Sequence, residues 1–309
     1  METFDFGGGF VPAHRHSNGG GWVADTATVD ESAHVGPDAR IYGNARVSGN
    51  AYVFGDASVS ENACVFRNAC VSGDACVSGN ARVFGNAHIS GYARVSGNAQ
   101  IYDNVNVSGN ARVYGNARVY ENAHVFGNAC LYGDARVYGS AYVYGNAHVS
   151  GDVRIRGDAR IFGYANVSEN VNVFGNAHVY ENANVFGNAY VCKNASVFGY
   201  ANVYGNANVY GNAYVFGNAR IFGDARVYGN VSISGKAYAN SSKFPKITRT
   251  DGYDFVALPC TDGKIRVIAG CRYFTFKEAK KHWKETRGGT HLGVETLNIL
   301  KCLKIMLKE

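Results

Sequence analysis

One hexapeptide repeats from Val23 to Ile233 without insertion or deletion, and this repeat limits the possible folds more than any other feature. Every sixth residue in that stretch is Val or Ile, apart from Leu131, which gives 36 hexads. The consensus is Val-x-Gly-Asn-Ala-x, as in residues 83–88. A strict internal repeat indicates a repeat architecture before any single residue is considered. It also leaves few positions for a dedicated active site.

The residues of the hexad predict a short strand followed by a turn. The β-branched Val favours a strand, Gly-Asn marks a turn, and Gly and Asn in every unit exclude a long helix. Pro37 takes the third hexad position once. Because proline fixes a negative φ, we expect the following Asn or Asp, and not the Gly, to be the left-handed residue. With Val inward and the small Ala at a tight corner, the repeat predicts an all-β solenoid.

The hexads resemble those of the hexapeptide-repeat superfamily, whose fold is a left-handed parallel β-helix. That family places a small residue four positions after an aliphatic one, as in Val47 with Ala51 and Val203 with Ala207. The resemblance implies three hexads per triangular coil, hence about 12 coils over residues 23–238 and a rod of roughly 58 Å. The Gly-Gly-Trp-Val entry also resembles uncharacterised, transferase-like proteins of phages and bacteria, which favours a phage origin.

The repeat and the composition divide the chain into three parts. Residues 1–22 are predicted to be an N-terminal cap, residues 23–240 the β-helix, and residues 241–309 a small α+β module that acts as a cap or docking unit. In the cap, His14 and His16 are either part of a lid loop or ligands for an anion or metal.

The C-terminal segment carries signals of a ββαα module. Tyr253–Pro259 and Ile265–Ala269 alternate as strands around Asp262-Gly263, which predicts a hairpin with a type I′ turn. Thr275 and Glu278 form a capping box that opens a first helix ending near Thr286. A second helix is predicted from about Leu292 to Leu307. Four lysines of the first helix are either a solvated face or an anion site: Lys277, Lys280, Lys281 and Lys284.

Charge and composition exclude several classes of function. Residues 244–309 hold 13 Lys+Arg against 7 Asp+Glu, so the whole net charge of +6 lies there, and the neutral solenoid is not expected to bind nucleic acid. The sequence has no apolar run of membrane-spanning length and begins without signal-peptide features, so we expect a cytoplasmic protein without membrane contact. The eight Cys are spread over the chain, which predicts free thiols and no metal site.

The outward positions, taken at 18-residue spacing, contain columns of aromatic residues. Stacked rings stabilise a parallel sheet, and a long exposed aromatic patch is also typical of a contact face. We favour a homo-oligomer, a trimer by the resemblance, with the C-terminal module available to a protein partner. The expected interface residues are Tyr142, Tyr144, Phe162, Tyr180, Phe198 and Phe216.

Two functions remain open at this level. The leading hypothesis is a non-catalytic scaffold for self-association or partner binding, without a cofactor. The resemblance implies an alternative, a trimeric acyltransferase that binds acetyl-CoA between neighbouring prisms and uses a His as general base. His88, His124 and His178 are the candidates for that base. The unbroken repeat, which has no loop beside any of them, argues against the enzyme.

Overall fold

The computed structural model describes residues 2–229, 231–239, 244–260, 262–270 and 272–307. The chain divides into two compact units, Met1–Gly163 and Tyr164–Glu309. Both contain coils of a parallel β-solenoid, about 12 in all, and the second also contains a small α/β module. The predicted fold class is therefore confirmed. The predicted boundary between residues 240 and 241 lies outside the described residues.

Each coil consists of three short strands, and within each unit a strand pairs with the one 18 residues further along the chain. Val65 pairs with Val83 in parallel, and the N–H of Cys64 donates to the carbonyl of Ala81 at 2.9 Å. The Val or Ile and the Ala of nearly every hexad are fully buried, as Val125 and Ala129 show. The inward assignment is confirmed. The core is a stack of β-branched and Ala side chains, which favours strands and tight corners.

The three sides of a coil are named after features of the first unit. The hairpin side is the one that the N-terminal antiparallel strands extend, and the arginine and histidine sides are named after residues of their strands. The hairpin side contains Trp22–Ala24, Arg40–Ile41, Ser58–Val59, Cys76–Val77, Arg94–Val95, Arg112–Val113, Cys130–Leu131 and His148–Val149. The arginine side contains Thr28–Val29, Arg46–Ser48, Cys64–Phe66, Arg82–Val83, Gln100–Ile101, Arg118–Val119, Arg136–Val137 and Arg154–Ile155. The histidine side contains His34–Val35, Tyr52–Val53, Cys70–Val71, His88–Ile89, Asn106–Val107, His124–Val125, Tyr142–Val143 and Arg160–Ile161.

Strands within the second unit also pair at a spacing of 18 residues, and they take the same three names according to their place in the sequence repeat. The hairpin side has Asn166–Val167, Asn184–Val185, Asn202–Val203, Arg220–Ile221 and Tyr238–Ala239. The arginine side has Asn172–Gly175, Tyr190–Lys193, Asn208–Val209 and Arg226–Val227. The histidine side has His178–Val179, Ser196–Val197, Tyr214–Val215 and Ser232–Ile233.

The turns show that the prediction for the left-handed residue was wrong. From Gly43 onward the third residue of the hexad has a positive φ, for example 68° at Gly43, and Glu keeps it there, with 60° at Glu61 and 57° at Glu181. The prediction was based on Pro37, which lies in the first coil, and the turns of that coil differ from all later ones. The turns at Asp25, Glu31 and Pro37 have no positive φ at this position, whereas those from Gly43 onward do.

The N-terminal residues form strands, although a lid loop was expected. Thr3–Asp5 pairs antiparallel with Phe10–Arg15, which in turn pairs with Trp22–Ala24 on the hairpin side. His16 is buried, and its Nε2 lies 3.0 Å from the carbonyl oxygen of Ala33. These strands cover the open edge of the first hairpin-side strand, the role expected of a cap.

The C-terminal module has two more strands than predicted. Its antiparallel sheet contains Lys246–Thr248, Asp254–Pro259, Ile265–Ala269 and Arg272–Thr275. The two added strands are short edge strands whose residues do not alternate clearly between apolar and polar. The predicted hairpin is present, but the N–H of Cys260 donates to the carbonyl of Lys264, so its turn is longer than the expected type I′ turn.

The two helices of the module lie within about a residue of their predicted bounds. Helix α1 spans Phe276–Arg287 and begins with the predicted capping box, and α2 spans His291–Met306. Both pack on one face of the sheet, around Phe255, Trp283 and Leu303.

The module contacts the last described coil. The N–H of Lys236 donates to the Tyr273 hydroxyl at 3.1 Å, and Ala237 forms an antiparallel bridge with Cys260. The Tyr273 ring covers Gly235, where a Cβ would come within 2.8 Å of the ring.

Candidate functional site

The candidate general bases do not converge on one site. On the histidine side, His88 and His124 each pair with Asn106, so a full coil separates them. His178 belongs to the second unit, where it pairs with Ser196. His88 is exposed, and its neighbours in the pairing are the side chains of Cys70 and Asn106. No paired residue is a carboxylate that could orient its ring.

His124 is held in a stack of rings. Its imidazole lies 4.7 Å from the ring of Tyr142, nearly parallel to it, and the guanidinium of Arg160 lies over the same tyrosine at 5.5 Å. A half-buried His between an Asn and a Tyr is well packed. This arrangement stabilises the sheet.

The aromatic columns are stacks within the chain. On the histidine side Tyr144 lies 4.9 Å from both Phe126 and Phe162, with the rings nearly parallel. In the second unit Phe198 lies 4.8 Å from Tyr180 and 5.0 Å from Phe216. A comparable column on the arginine side contains Phe66, Phe84, Tyr102, Tyr120 and Tyr138. The predicted interface residues thus stack, and each keeps part of its ring at the surface.

Side-chain amide ladders are a feature that the sequence reasoning missed. The Asn of one turn donates through Nδ2 to the Oδ1 of the Asn one coil later, at 3.1 Å from Asn80 to Asn98 and 3.0 Å from Asn98 to Asn116. This ladder ends when Asn116 donates to Asp134. The signal was present in the sequence, as Asn at 18-residue spacing, but was interpreted only as turn chemistry.

The described cysteines and histidines do not form a metal site. Cys64, Cys70 and Cys76 lie on three different sides of the solenoid, and the described cysteines are free thiols. Cys271 lies outside the described residues. His14 pairs with Asp25 at 2.9 Å. No group of three or more His, Cys, Asp or Glu that could hold a metal ion occurs among the residues described.

The four candidate lysines of α1 lie outside the cleft of the C-terminal module. All four are exposed, and Lys281 approaches Glu285 at 3.9 Å. The cleft, of about 540 Å³, instead contains three arginines with His282 between the helices and the sheet. Its lining residues are Arg249, Tyr253, Arg272, His282, Trp283, Thr286, Arg287, Thr290 and Leu292. Sequence reasoning missed this cleft because its residues come from distant parts of the segment.

A model of a known repeat family matches the solenoid. The YdcK beta solenoid repeat matches residues 39–55, 75–91, 111–127 and 219–235. The first three matches begin two coils apart, so they share the register of the hairpin side. The four matched stretches make up less than half of the chain, and they agree with the resemblance of its hexads to the hexapeptide-repeat superfamily. In this hexapeptide-repeat protein, neither helix within the described residues is long and apolar enough to cross a bilayer.

Two solved structures are similar to the hexapeptide-repeat protein at low identity. The UDP-N-acetylglucosamine O-acyltransferase (LpxA) of Moraxella catarrhalis RH4 is 12% identical over 58% of this chain and 71% of its own, with a TM-score of 0.42. The UDP-N-acetylglucosamine acyltransferase of Francisella novicida is 13% identical over 54% of this chain and 63% of its own, with a TM-score of 0.24. No curated protein matches the sequence.

Proposed function

We propose that this protein is a non-catalytic scaffold that self-associates through its histidine side. The observation that carries the proposal is the unbroken run of hexads from residue 23 to residue 233. An acyltransferase needs a place that closes over the acyl donor, excludes water and orients the acceptor beside a base. A solenoid without an inserted loop presents flat sheets instead, and flat sheets suit contact between proteins.

Charge favours the histidine side over the arginine side as the contact face. In the first unit Arg118, Arg136 and Arg154 pair on successive strands of the arginine side, so a second copy placed there would bring like charges together. The histidine side has half-buried rings around Tyr144 and a single guanidinium, Arg160, already placed over Tyr142. Aromatic side chains contribute most to binding when association removes them from water.

Four further parts of the proposal accompany the scaffold. A trimer and a phage origin are proposed from the family resemblance, and a cytoplasmic location and the absence of a cofactor are proposed with them. The C-terminal module, which contacts the last coil, is proposed to cap the solenoid and to remain available to a protein partner.

Mass measurement of interface variants tests self-association. We expect Tyr144→Glu combined with Phe198→Glu to shift the mass in light scattering towards the monomer, because charged groups would have to be desolvated in the contact. The matched control is Tyr102→Glu with Tyr120→Glu, which removes stacked rings from the arginine side and should leave the mass unchanged. If the wild type is monomeric at micromolar concentration, the proposal of self-association is wrong and the aromatic columns only stack within the chain.

Acetyl-CoA titration separates the scaffold from the acyltransferase. We expect no saturable binding of CoA or acetyl-CoA by calorimetry and no acetyl transfer to sugars or amines. A true general base would lose about 10²–10⁴-fold in rate when changed to Ala. Turnover that falls to that extent in His88→Ala, His124→Ala or His178→Ala would establish the enzyme instead.

A further inference from the structure

The cleft of the C-terminal module contains two arginines without an ion pair among the described residues and a third that is held in place by hydrogen bonds. Arg272 and Arg287 line it, and neither forms an ion pair with a carboxylate of the described residues. Arg249 lines it too, but its buried guanidinium is already occupied by Asp251, at 2.9 and 2.7 Å, and by the Thr296 hydroxyl at 2.8 Å. Two arginines therefore remain available to a ligand, and the third belongs to the wall.

The position of Arg287 is set by close backbone contact between the two helices. A Cβ on Gly293, in the first turn of α2, would lie 1.9 Å from the carbonyl oxygen of Arg287, so the two segments can meet only because residue 293 is glycine. Thr290 caps α2 by accepting a hydrogen bond from the N–H of Gly293 at 3.0 Å. The positive end of the α2 dipole is thus at the cleft, next to Arg287.

The other walls of the cleft favour a small molecule that carries an anionic group over a bare inorganic anion. Tyr253, Trp283 and Leu292 supply apolar surface, and the volume of about 540 Å³ is in the range of small-molecule sites and well above that of a bare anion. Burial and the nearby Arg272 lower the pKa of His282, which favours its neutral imidazole. A neutral imidazole can still donate one hydrogen bond.

We propose that this cleft binds a small ligand through an oxyanion, a phosphate or a carboxylate, held by Arg272 and Arg287. The planar guanidinium presents paired N–H donors that match either oxyanion, which a lysine ammonium cannot do. The proposal concerns the module alone and does not depend on self-association of the solenoid.

Fluorescence of Trp283 provides a direct test in the full chain. The protein has two tryptophans, so Trp22→Phe leaves Trp283, which lines the cleft, as the only indole reporter. The probes are inorganic phosphate and adenosine monophosphate for the phosphate source, and citrate for the carboxylate source, at constant ionic strength. We expect saturable quenching or enhancement by at least one class, and the class that binds identifies the source.

Paired variants distinguish the cleft from general attraction to a basic module. Arg272→Ala with Arg287→Ala should weaken binding by at least about tenfold, since each removes charge-assisted hydrogen bonds. Lys277→Ala with Lys280→Ala removes the same charge from exposed positions outside the cleft and should change the Kd by less than about twofold. Equal weakening in both pairs, or no saturation by any probe below about 10 mM, would overturn the proposal.

Discussion

At the scale of single residues, the third hexad position determines how each turn closes. Gly occupies it in most hexads with φ near +70°, and Glu61, Glu121 and Glu181 adopt the same conformation. A left-handed conformation costs a residue with a Cβ roughly 1–2 kcal/mol. Glycine avoids this strain, but its greater conformational freedom in the unfolded chain offsets part of the advantage. The Glu turns are therefore strained positions, as are the turns at Arg67, Asp103 and Lys193, which have the same positive φ.

Replacing such a Glu by Gly should stabilise the protein. We expect Glu61→Gly to raise the free energy of unfolding by about 0.5–1 kcal/mol, because it removes the strain at φ 60°. Glu61→Ala is the control, since it removes the same carboxylate but keeps the Cβ, and should give no gain. Urea denaturation followed by circular dichroism measures both, and equal stabilisation by the two variants would assign the effect to charge.

The amide ladders lead to a second expectation at this scale. Asn98 accepts a hydrogen bond from Asn80 and donates one to Asn116, so Asn98→Ala should lower the free energy of unfolding by about 1 kcal/mol. Asn98→Asp keeps the acceptor and loses only the donor, so its loss should be smaller in the same urea titration. A larger loss for Asp than for Ala would show that the ladder contributes little.

At the scale of elements, helix α2 is attached to the turn between the first two strands of the module. Arg249 donates to Thr296, and both the N–H and the hydroxyl of Thr250 donate to the carboxylate of Glu295, at 2.8 and 2.6 Å. Asp251 completes the arrangement by accepting two hydrogen bonds from Arg249. The buried guanidinium depends on that carboxylate for its charge balance.

This arrangement should make the module sensitive to acid. The Arg249 guanidinium lowers the pKa of Asp251 to about 2, below its usual value of about 3.9. A lowered folded-state pKa gives stability that is present above the unfolded value and is lost as pH falls through about 2. In the Trp22→Phe protein, denaturant midpoints from Trp283 fluorescence should fall between pH 4 and pH 2.

Asp251→Asn is the control for the acid transition. It should be less stable than the parent at pH 7, because Arg249 loses its ionised partner, and its midpoint should change less between pH 4 and pH 2. The pKa of Asp262 is also lowered, by Arg266, so some dependence on pH should persist in the variant. An unchanged pH profile would assign the acid sensitivity to other groups.

The two helices were predictable because their signals are local. The capping box of Thr275 and Glu278 lies within four residues, and the apolar spacing that follows defines the buried face around Ala279 and Trp283. The two additional strands were not predictable, because edge strands as short as Lys246–Thr248 are stabilised by pairing with a neighbour and not by their own pattern. The cleft was missed for the same reason, since packing is what places Arg272 and Arg287 on the walls of one cleft.

At the scale of the whole molecule, the buried Val or Ile of each hexad stabilises every coil. Val125 is fully buried, so Val125→Asp should unfold the coils around it, because a buried, unpaired carboxylate costs several kcal/mol. Thermal unfolding by circular dichroism should show a large fall in Tm. Arg118→Ala, at an exposed position, should change stability by less than about 0.5 kcal/mol.

The period of six and the inward Val could be predicted at this scale because every hexad repeats the same information. The number of hexads per coil could not, since period six alone is compatible with other coil geometries, and it came from the family resemblance. The structure supplies it through the pairing of residues 18 apart. The left-handed turn residue was predicted wrongly because a single proline in the first coil was taken to represent all turns.

The constant 18-residue register also has a consequence for the gene. Backbone pairs, buried Val stacks and many amide ladders link each residue to the one 18 positions later. Duplication or deletion of 18 codons inside the repeat would therefore join coil surfaces in the same register and keep the backbone pairing intact. Coil number can change by single recombination events, whereas an insertion into a strand whose length is not a multiple of 18 residues would break the register at once. Evolution can lengthen or shorten such a protein without redesigning its core.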